Sequence, residues 1–73
     1  MSESLAAIAV RVNGEPMPVS RGTSVAGLIA ALGLDTRKVA VERNREIVPR
    51  SAYGNITLEL GDEIEIVHFI GGG

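Results

Sequence analysis

The residues with the most distinctive chemistry are the last three, which are all glycine. Because Gly71, Gly72 and Gly73 carry no side chains, the reactive group at this end is the main-chain carboxylate of Gly73. A segment without Cβ atoms passes through channels too narrow for other residues, so we predict that Gly71 and Gly72 thread a partner's channel. ATP converts a carboxylate to a mixed anhydride with AMP, and a persulfide displaces AMP to leave a thiocarboxylate. The tail therefore indicates acyl activation at Gly73; an end that merely frays is the alternative interpretation.

Side-chain chemistry elsewhere in the chain is sparse. The 73 residues include no cysteine and one histidine, His68, which excludes disulfides, thiolate zinc sites, iron–sulfur clusters and a persulfide carried on this chain. A carried sulfur would have to be bound covalently at the C-terminus. No nucleophile neighbours His68, so we assign it no role, and we expect no bound metal or cofactor. A chain this short needs its apolar residues for one small core, so a free-standing enzyme is not expected.

Charge and hydropathy argue against two classes of partner. Seven Lys and Arg against nine Asp and Glu give a formal charge of −2, so no excess positive charge is present to neutralise the phosphates of nucleic acid. No apolar run approaches the roughly 20 residues that span a membrane, and the N-terminus lacks the basic flank of a secretory signal. We therefore expect a cytoplasmic protein that binds neither nucleic acid nor membrane.

The elements that position the tail begin with a hairpin. The alternation of apolar residues from Ile8 to Val12 predicts a strand, and Asn13-Gly14 is a strong signal for a two-residue turn. A second strand over 15–19 then places the apolar residues of both strands on one face. Its two prolines lack a donor only on the outward side, which predicts an edge strand. The expected register pairs Val12 with Glu15, Val10 with Met17, and Ile8 with Val19.

A helix is predicted from Ser24, as N-cap, to about Leu32. Gly33 stands at the left-handed position that ends a helix, and Leu34 follows where it is able to fold back. Gly27 occupies the position where Glu or Gln would complete a capping box, so the first turn is weaker than it could be. The apolar stripe expected to face the core consists of Val25, Leu28, Ile29 and Leu32.

Two segments connect the helix to the last strand. Val39 and Val41 alternate before a polar turn over 42–45, and the short apolar pair Ile47-Val48 ends at Pro49. The segment from Ser51 to Leu60 is less regular. The residues expected to anchor it in the core are Tyr53, Ile56, Leu58 and Leu60.

The last strand is predicted over 63–70 and leads directly into the tail. It has apolar residues on both faces, which suits the interior of a sheet. Val67 and Phe69 are expected to face away from the helix, and together with Ile70 they form an apolar surface on which we expect partners to dock. A bulge that turns Val67 and Phe69 into the core is the alternative.

The order of elements predicts an α+β fold of the ubiquitin-like β-grasp type, a mixed sheet with one helix packed on one face. The helix supplies the crossover that a parallel pairing of the first and last strands requires. We divide the chain into a β-grasp domain over 1–70 and a flexible, reactive C-terminal Gly tail over 71–73.

Several segments in combination resemble the ThiS family, the bacterial sulfur-carrier proteins of thiamin biosynthesis, which are ubiquitin-like β-grasp proteins. A Gly-Gly end alone is a weak signal, but the ordered combination in so short a chain is specific. Gly27 departs from the acidic residue often found at its position. The matching segments are Val12-Asn13-Gly14, the Ser24-capped helix, Val41 to Arg50, Gly61 to Val67, and His68 to Gly73.

The resemblance implies a carrier substrate and not a catalyst. Gly73 would be adenylated by ThiF, an enzyme similar to the ubiquitin-activating class (E1-like), which uses ATP and Mg²⁺, while this chain itself binds no cofactor. A sulfur donor such as a cysteine desulfurase or a rhodanese-like protein would supply the sulfur of the thiocarboxylate. Thiazole synthase, ThiG, would then receive that sulfur as the thiazole ring of thiamin forms.

Three other functions fit the same residues. A molybdopterin-type sulfur carrier would share the fold and the tail chemistry, so only the middle segment and the chain length favour thiamin. A ubiquitin-like protein modifier would form isopeptide bonds through Gly73. A plain binding module would carry the glycine tail incidentally.

Overall fold

A single mixed sheet with one helix across it organises the part of the chain that the computed structural model describes, residues 7–69. The sheet order is β2-β1-β5-β3-β4; β1 and β5 run parallel, and the other neighbouring strands are antiparallel. The predicted α+β, β-grasp class is confirmed. The elements are β1 (Ala7–Val12), β2 (Glu15–Ser20), α1 (Val25–Ala31), β3 (Val39–Arg43), β4 (Glu46–Val48) and β5 (Glu63–His68), with 3₁₀ turns at Thr36–Lys38 and Arg50–Ala52.

The N-terminal hairpin has the predicted register. Val12 lies opposite Glu15, and β2 is an edge strand with its two prolines in the ladder. Asn13 and Gly14 both have positive φ, 52° and 86°, as a type I′ turn requires. Asparagine and glycine adopt these angles at low cost, so the local sequence alone is sufficient to set this register.

Helix α1 begins and ends as predicted, with one correction at its C-terminal end. The Ser24 hydroxyl accepts a hydrogen bond from the Gly27 N–H. Gly33, at φ 76°, ends the helix, and the Leu34 N–H donates to the Ile29 carbonyl in a Schellman arrangement. Leu32 was expected in the buried stripe, but it is 36% exposed because it is the C-cap and Leu34 packs on the core beyond it.

The glycine in the first turn of α1 has a steric reason. A Cβ at Gly27 would lie 3.2 Å from Cγ2 of Thr23 and 3.4 Å from Oγ of Ser24. The cap therefore closes tightly over this position, and the Cβ of a glutamate that completed a capping box would require the Thr23 methyl to shift by a few tenths of an ångström. Gly27 has a low helix propensity, but its lack of a Cβ allows Thr23 and Ser24 to pack closely against the first turn.

The core lies between α1 and the sheet. Three helix residues, Val25, Leu28 and Ile29, are fully buried against the inward-facing residues of the strands. Tyr53 is also buried, and its hydroxyl donates to the Val39 carbonyl at 3.2 Å, which ties the irregular segment to β3. The buried sheet residues are Ile8, Val10, Val19, Val39, Val41, Val48, Ile64 and Ile66.

The segment before β5 differs from expectation at one residue. Leu58 is buried and Ile56 packs on the core as predicted, but Leu60 is 74% exposed and does not anchor the segment. Leu60 lies inside a tight turn in which the Asp62 N–H donates to the Glu59 carbonyl at 3.0 Å. A central residue of such a turn projects outward, so its side chain points away from the core.

Candidate functional site

The strand that leads to the tail, β5, is the central strand of the sheet. One of its two neighbours, β3, pairs with it from Arg43 opposite Ile64 to Val39 opposite His68. Pairing extends one residue further, because the Phe69 N–H donates to the Lys38 carbonyl at 2.8 Å. The predicted strand over 63–70 thus ends at His68 in the described residues. The predicted docking residue Ile70 and the tail residues Gly71, Gly72 and Gly73 lie outside those residues, so their predicted roles stay predictions.

The other two predicted docking residues have exposed side chains near the end of β5. Val67 is 61% exposed and lies on the sheet face opposite α1, and Phe69 is 46% exposed. The alternative in which a bulge buries them does not occur. Their role in docking a partner stays a prediction.

Two further residues, which were not identified from the sequence, extend the apolar surface around Val67. Ala40 pairs with Val67 across β3 and β5, and Ile47 on β4 is 77% exposed. We call Ala40, Ile47 and Val67 the apolar patch. They line a shallow depression of about 110 Å³ on the sheet face opposite α1. Adjacent residues in a strand face opposite sides of the sheet, so only one residue of the pair Ile47-Val48 can face the core. This alternation was the sequence signal that one of the two is exposed.

An asparagine side chain secures β5 on the side where β1 has already turned away. The Asn13 N–H donates to the Ile64 carbonyl at 2.8 Å, which is the last main-chain link between the strands. The Asn13 side chain continues the ladder: its Oδ1 accepts from the Ile66 N–H at 2.8 Å and its Nδ2 donates to the Ile66 carbonyl at 3.3 Å. The Asn13 side-chain amide thus makes the two hydrogen bonds that the main chain of a neighbouring strand residue would make to Ile66.

A second asparagine performs a similar function on the opposite side of β5. Asn44 is the first residue of the β3–β4 turn, at φ 53°, and its N–H donates to the Glu63 carbonyl at 2.7 Å. Its Oδ1 accepts from the Glu63 N–H at 3.0 Å. Both hairpin turns therefore hold the main chain of β5 through an asparagine amide, and this fixes the strand that leads to the tail.

A buried carboxylate joins the β3–β4 turn to the start of β5. Asp62 is 6% exposed and accepts hydrogen bonds from Arg43 Nε at 2.9 Å, Asn44 Nδ2 at 3.1 Å and the Glu59 N–H at 2.8 Å. Burial by itself raises the pKa of the Asp62 carboxyl, but these donors outweigh it and lower the pKa below its ordinary value. Asp62 is therefore a charged structural group and not a proton donor.

The described residues offer little side-chain chemistry of their own. His68 is exposed at the end of β5. Between residues 7 and 69, no three or more His, Asp or Glu side chains are placed to hold a metal ion. In that same range, no helix is long and apolar enough to cross a membrane.

Comparison with known proteins identifies the family. A sequence profile described as the ThiS family matches residues 10–73. The sulfur carrier protein ThiS of Bacillus subtilis is 38% identical over 65 residues, an alignment that covers 88% of this chain and 98% of that protein. The chain belongs to the ThiS family. The predicted resemblance is therefore confirmed.

A solved ThiS structure has the same fold. The crystal structure of the thiamine biosynthesis protein ThiS from Geobacter metallireducens superposes with a TM-score of 0.77 at 35% identity, covering 90% of this chain and all of that one. The β-grasp arrangement described above is thus shared with a ThiS protein along its whole length.

A similarity to a larger protein is also present. A thiazole synthase of Magnetococcus marinus is 50% identical over 64 residues, which is 88% of this chain but 20% of that protein. The chain thus spans about a fifth of that relative's length. In that relative, a segment similar to this ThiS-family chain belongs to the same polypeptide as the rest of a thiazole synthase.

Proposed function

We propose that this chain is a sulfur carrier protein of thiamin biosynthesis and that the carboxylate of Gly73 carries the sulfur. The observation that carries the proposal is the family match, which extends to residue 73 and is supported by the near-complete coverage of the Bacillus subtilis sulfur carrier. On this proposal the folded body positions the tail and the chain itself catalyses nothing.

The proposed chemistry takes place in three enzyme-assisted steps. A Gly73 carboxylate oxygen attacks the α-phosphorus of ATP, and pyrophosphate leaves with the electrons of the broken P–O bond. A donor persulfide then attacks the acyl carbon, and AMP leaves. A second thiol of the donor attacks the resulting acyl disulfide, so that the donor becomes a disulfide and Gly73 becomes a thiocarboxylate. ATP and Mg²⁺ belong to the adenylating enzyme in this scheme.

The proposed partners follow from these steps. Adenylation requires a ThiF-type adenylating enzyme, and the persulfide requires a donor such as a cysteine desulfurase or a rhodanese-like protein. Thiazole synthase is the proposed acceptor, and the presence of a similar segment within a thiazole synthase of Magnetococcus marinus supports that pairing. We also propose that the chain acts in the cytoplasm.

Mass spectrometry tests the proposal directly. Incubation with the adenylating enzyme, Mg²⁺-ATP and a persulfide donor should increase the mass of the chain by the difference between sulfur and oxygen, with the change located at Gly73. A matched chain that lacks Gly72 and Gly73 keeps the folded body and should show no change. An unchanged mass of the full chain, with an enzyme that adenylates another carrier, would contradict the proposal.

Transfer to the acceptor separates this function from its rivals. The thiocarboxylated chain should lose its sulfur to thiazole synthase and should retain it in the presence of molybdopterin synthase subunits. Preferential transfer to the latter would replace thiamin by molybdopterin as the pathway. Lysine-linked adducts of Gly73 in cell extract would indicate a protein modifier instead.

A further inference from the structure

The turn between β1 and β2 contains an Asn-Gly pair, the dipeptide in which an asparagine side chain most readily loses ammonia. The Gly14 nitrogen loses its proton and attacks Cγ of Asn13, ammonia leaves, and a five-membered succinimide forms. Water then opens the ring to aspartate or isoaspartate. Glycine favours the attack because it has no Cβ to hinder its own nitrogen. Asn13 is therefore a chemically labile residue at a defined place in the fold.

The type I′ turn holds Asn13 in a conformation that does not close this ring. The first central residue of such a turn has φ and ψ of about +60° and +30°, and φ of Asn13 is 52°. At a ψ of about +30°, Cβ lies nearly anti to the next nitrogen across the Cα–C bond, whereas the ring requires these two atoms to be nearly eclipsed. Arg11 Nη1 donates to the Gly14 carbonyl at 2.9 Å and restrains the turn further. Ring closure therefore requires the turn to open.

The side-chain amide of Asn13 is also bound to β5. Its Oδ1 accepts from the Ile66 N–H at 2.8 Å, and its Nδ2 donates to the Ile66 carbonyl at 3.3 Å. We call these two hydrogen bonds the Asn13 clamp. Rotation of Cγ onto its own main chain withdraws both side-chain atoms from Ile66. The contacts that hold β5 thus also keep the amide from reacting.

We propose that Asn13 is a deamidation site that the fold protects, and that local opening of the turn and of the Asn13 clamp releases the reaction. Water is the only co-reactant: one side-chain amide and one water molecule give one carboxylate and one ammonium ion. The inference concerns the folded body alone, so it does not depend on the proposed function at Gly73.

The products of the reaction do not restore the Asn13 clamp. In the aspartate product a carboxylate oxygen replaces Nδ2 and faces the Ile66 carbonyl, so two acceptors meet where a hydrogen bond had been. The isoaspartate product lengthens the main chain by one carbon atom, and a two-residue turn of fixed register does not accommodate it. Each chain that reacts is therefore permanently altered beside β5, the strand that leads to the tail.

The test follows deamidation of the full chain at mildly alkaline pH, where the attacking nitrogen loses its proton more readily. Peptide mass spectrometry locates the change from amide to acid, and protein isoaspartyl methyltransferase with labelled S-adenosylmethionine measures isoaspartate. Rates are compared in native buffer and in concentrated urea. Asn44 and Asn55 are internal controls, because the residues that follow them, Arg45 and Ile56, have side chains that hinder the attacking nitrogen.

We expect deamidation at Asn13 to be about thirtyfold slower in native buffer than in urea, or slower still, because two hydrogen bonds must open before the ring closes. R11T removes the restraint on the Gly14 carbonyl and keeps a residue with high strand propensity, so it should accelerate the native reaction roughly threefold. S24A, the matched control, weakens the helix cap outside the turn and should leave the native rate unchanged.

The variant N13D encodes the aspartate product. Exchange of the Ile66 amide should be faster in N13D than in the wild-type chain. The Phe69 amide, which donates to the Lys38 carbonyl on the other side of β5, should keep its protection.

Three results would overturn the inference. Equal rates at Asn13 in native buffer and in urea would show that the fold gives no protection. Equal acceleration by S24A and R11T would place the reaction in the globally unfolded chain and not in the opened turn. Ile66 protection in N13D equal to that of the wild-type chain would show that the product keeps the Asn13 clamp.

Discussion

Replacement of Asn13 by glycine should loosen β5 at a single point. The Asn13 amide accepts from the Ile66 N–H and donates to the Ile66 carbonyl, and β1 has no main-chain group left to replace it. Glycine retains the positive φ of 52° without strain, so N13G removes the two hydrogen bonds and leaves the turn intact. N13A removes the same bonds and also places a Cβ in the left-handed region.

The magnitudes follow from these contacts. Two hydrogen bonds at about 1 kcal/mol each make N13G less stable than the wild-type chain by about 2 kcal/mol. The left-handed conformation costs alanine about 1 kcal/mol more, so N13A should lose about 3 kcal/mol. One small core supplies about 3–5 kcal/mol in total, so N13A should be close to unfolding at 37 °C.

Urea unfolding followed by far-ultraviolet circular dichroism gives the stabilities, and amide hydrogen exchange gives the location. Exchange of the Ile66 amide in N13G should accelerate far more than exchange of the Phe69 amide, whose N–H is bonded to Lys38 on the other side of β5. Equal protection of Ile66 in N13G and in the wild-type chain would refute the role of the side chain. An N13A variant more stable than N13G would instead refute the cost assigned to the left-handed conformation at residue 13.

Three further predictions concern the folded body. The stability difference between the wild-type chain and D62N should be largest near pH 7 and should shrink below about pH 4. The pKa of Asp62 is lower in the folded chain than in the unfolded chain, so the ionised carboxylate stabilises the fold at pH values above the unfolded-state pKa, and this contribution is lost on acidification. A difference in urea midpoints that does not change with pH would argue against this. S24A, which leaves the Gly27 N–H uncapped, should lose about 1 kcal/mol by the same assay. R45G should be more stable than the wild-type chain by a few tenths of a kcal/mol in thermal unfolding, because Arg45 has a φ of 71° in its turn; a destabilised variant would show that its side chain has a stabilising contact.

The site was only partly predictable from sequence. Exposure of Val67 followed from strand alternation, and Ile47 was predictable on the same principle once its strand was paired with β3. That Glu42 of β3 lies opposite Glu65 of β5 was not predictable, because it depends on the register between two strands joined by a long irregular segment. Leu60 was assigned to the core on hydrophobicity, but the turn geometry decided its exposure.

Sequence by itself determined the features that depend on residues close together in the chain. The Asn13-Gly14 turn, the Ser24 cap and the Gly33 helix end each follow from interactions over two to five residues, and the structure confirms them. The ordered segments also identified the ThiS family. The turn, the helix cap and the helix end can be predicted from sequence because each depends only on residues that are neighbours in the chain.

Tertiary structure decided how β5 is held and what lies beside it. Asn13 contacts Ile66 across 53 residues of sequence, and its amide is needed there because β1 ends before β5 does. Unpaired main-chain groups of this kind arise only when the strands are assembled, since hydrogen-bonding partners depend on the ends of neighbouring strands and not on local residue preference. The same assembly placed the carboxylates of Glu42 and Glu65 beside the apolar patch on one face.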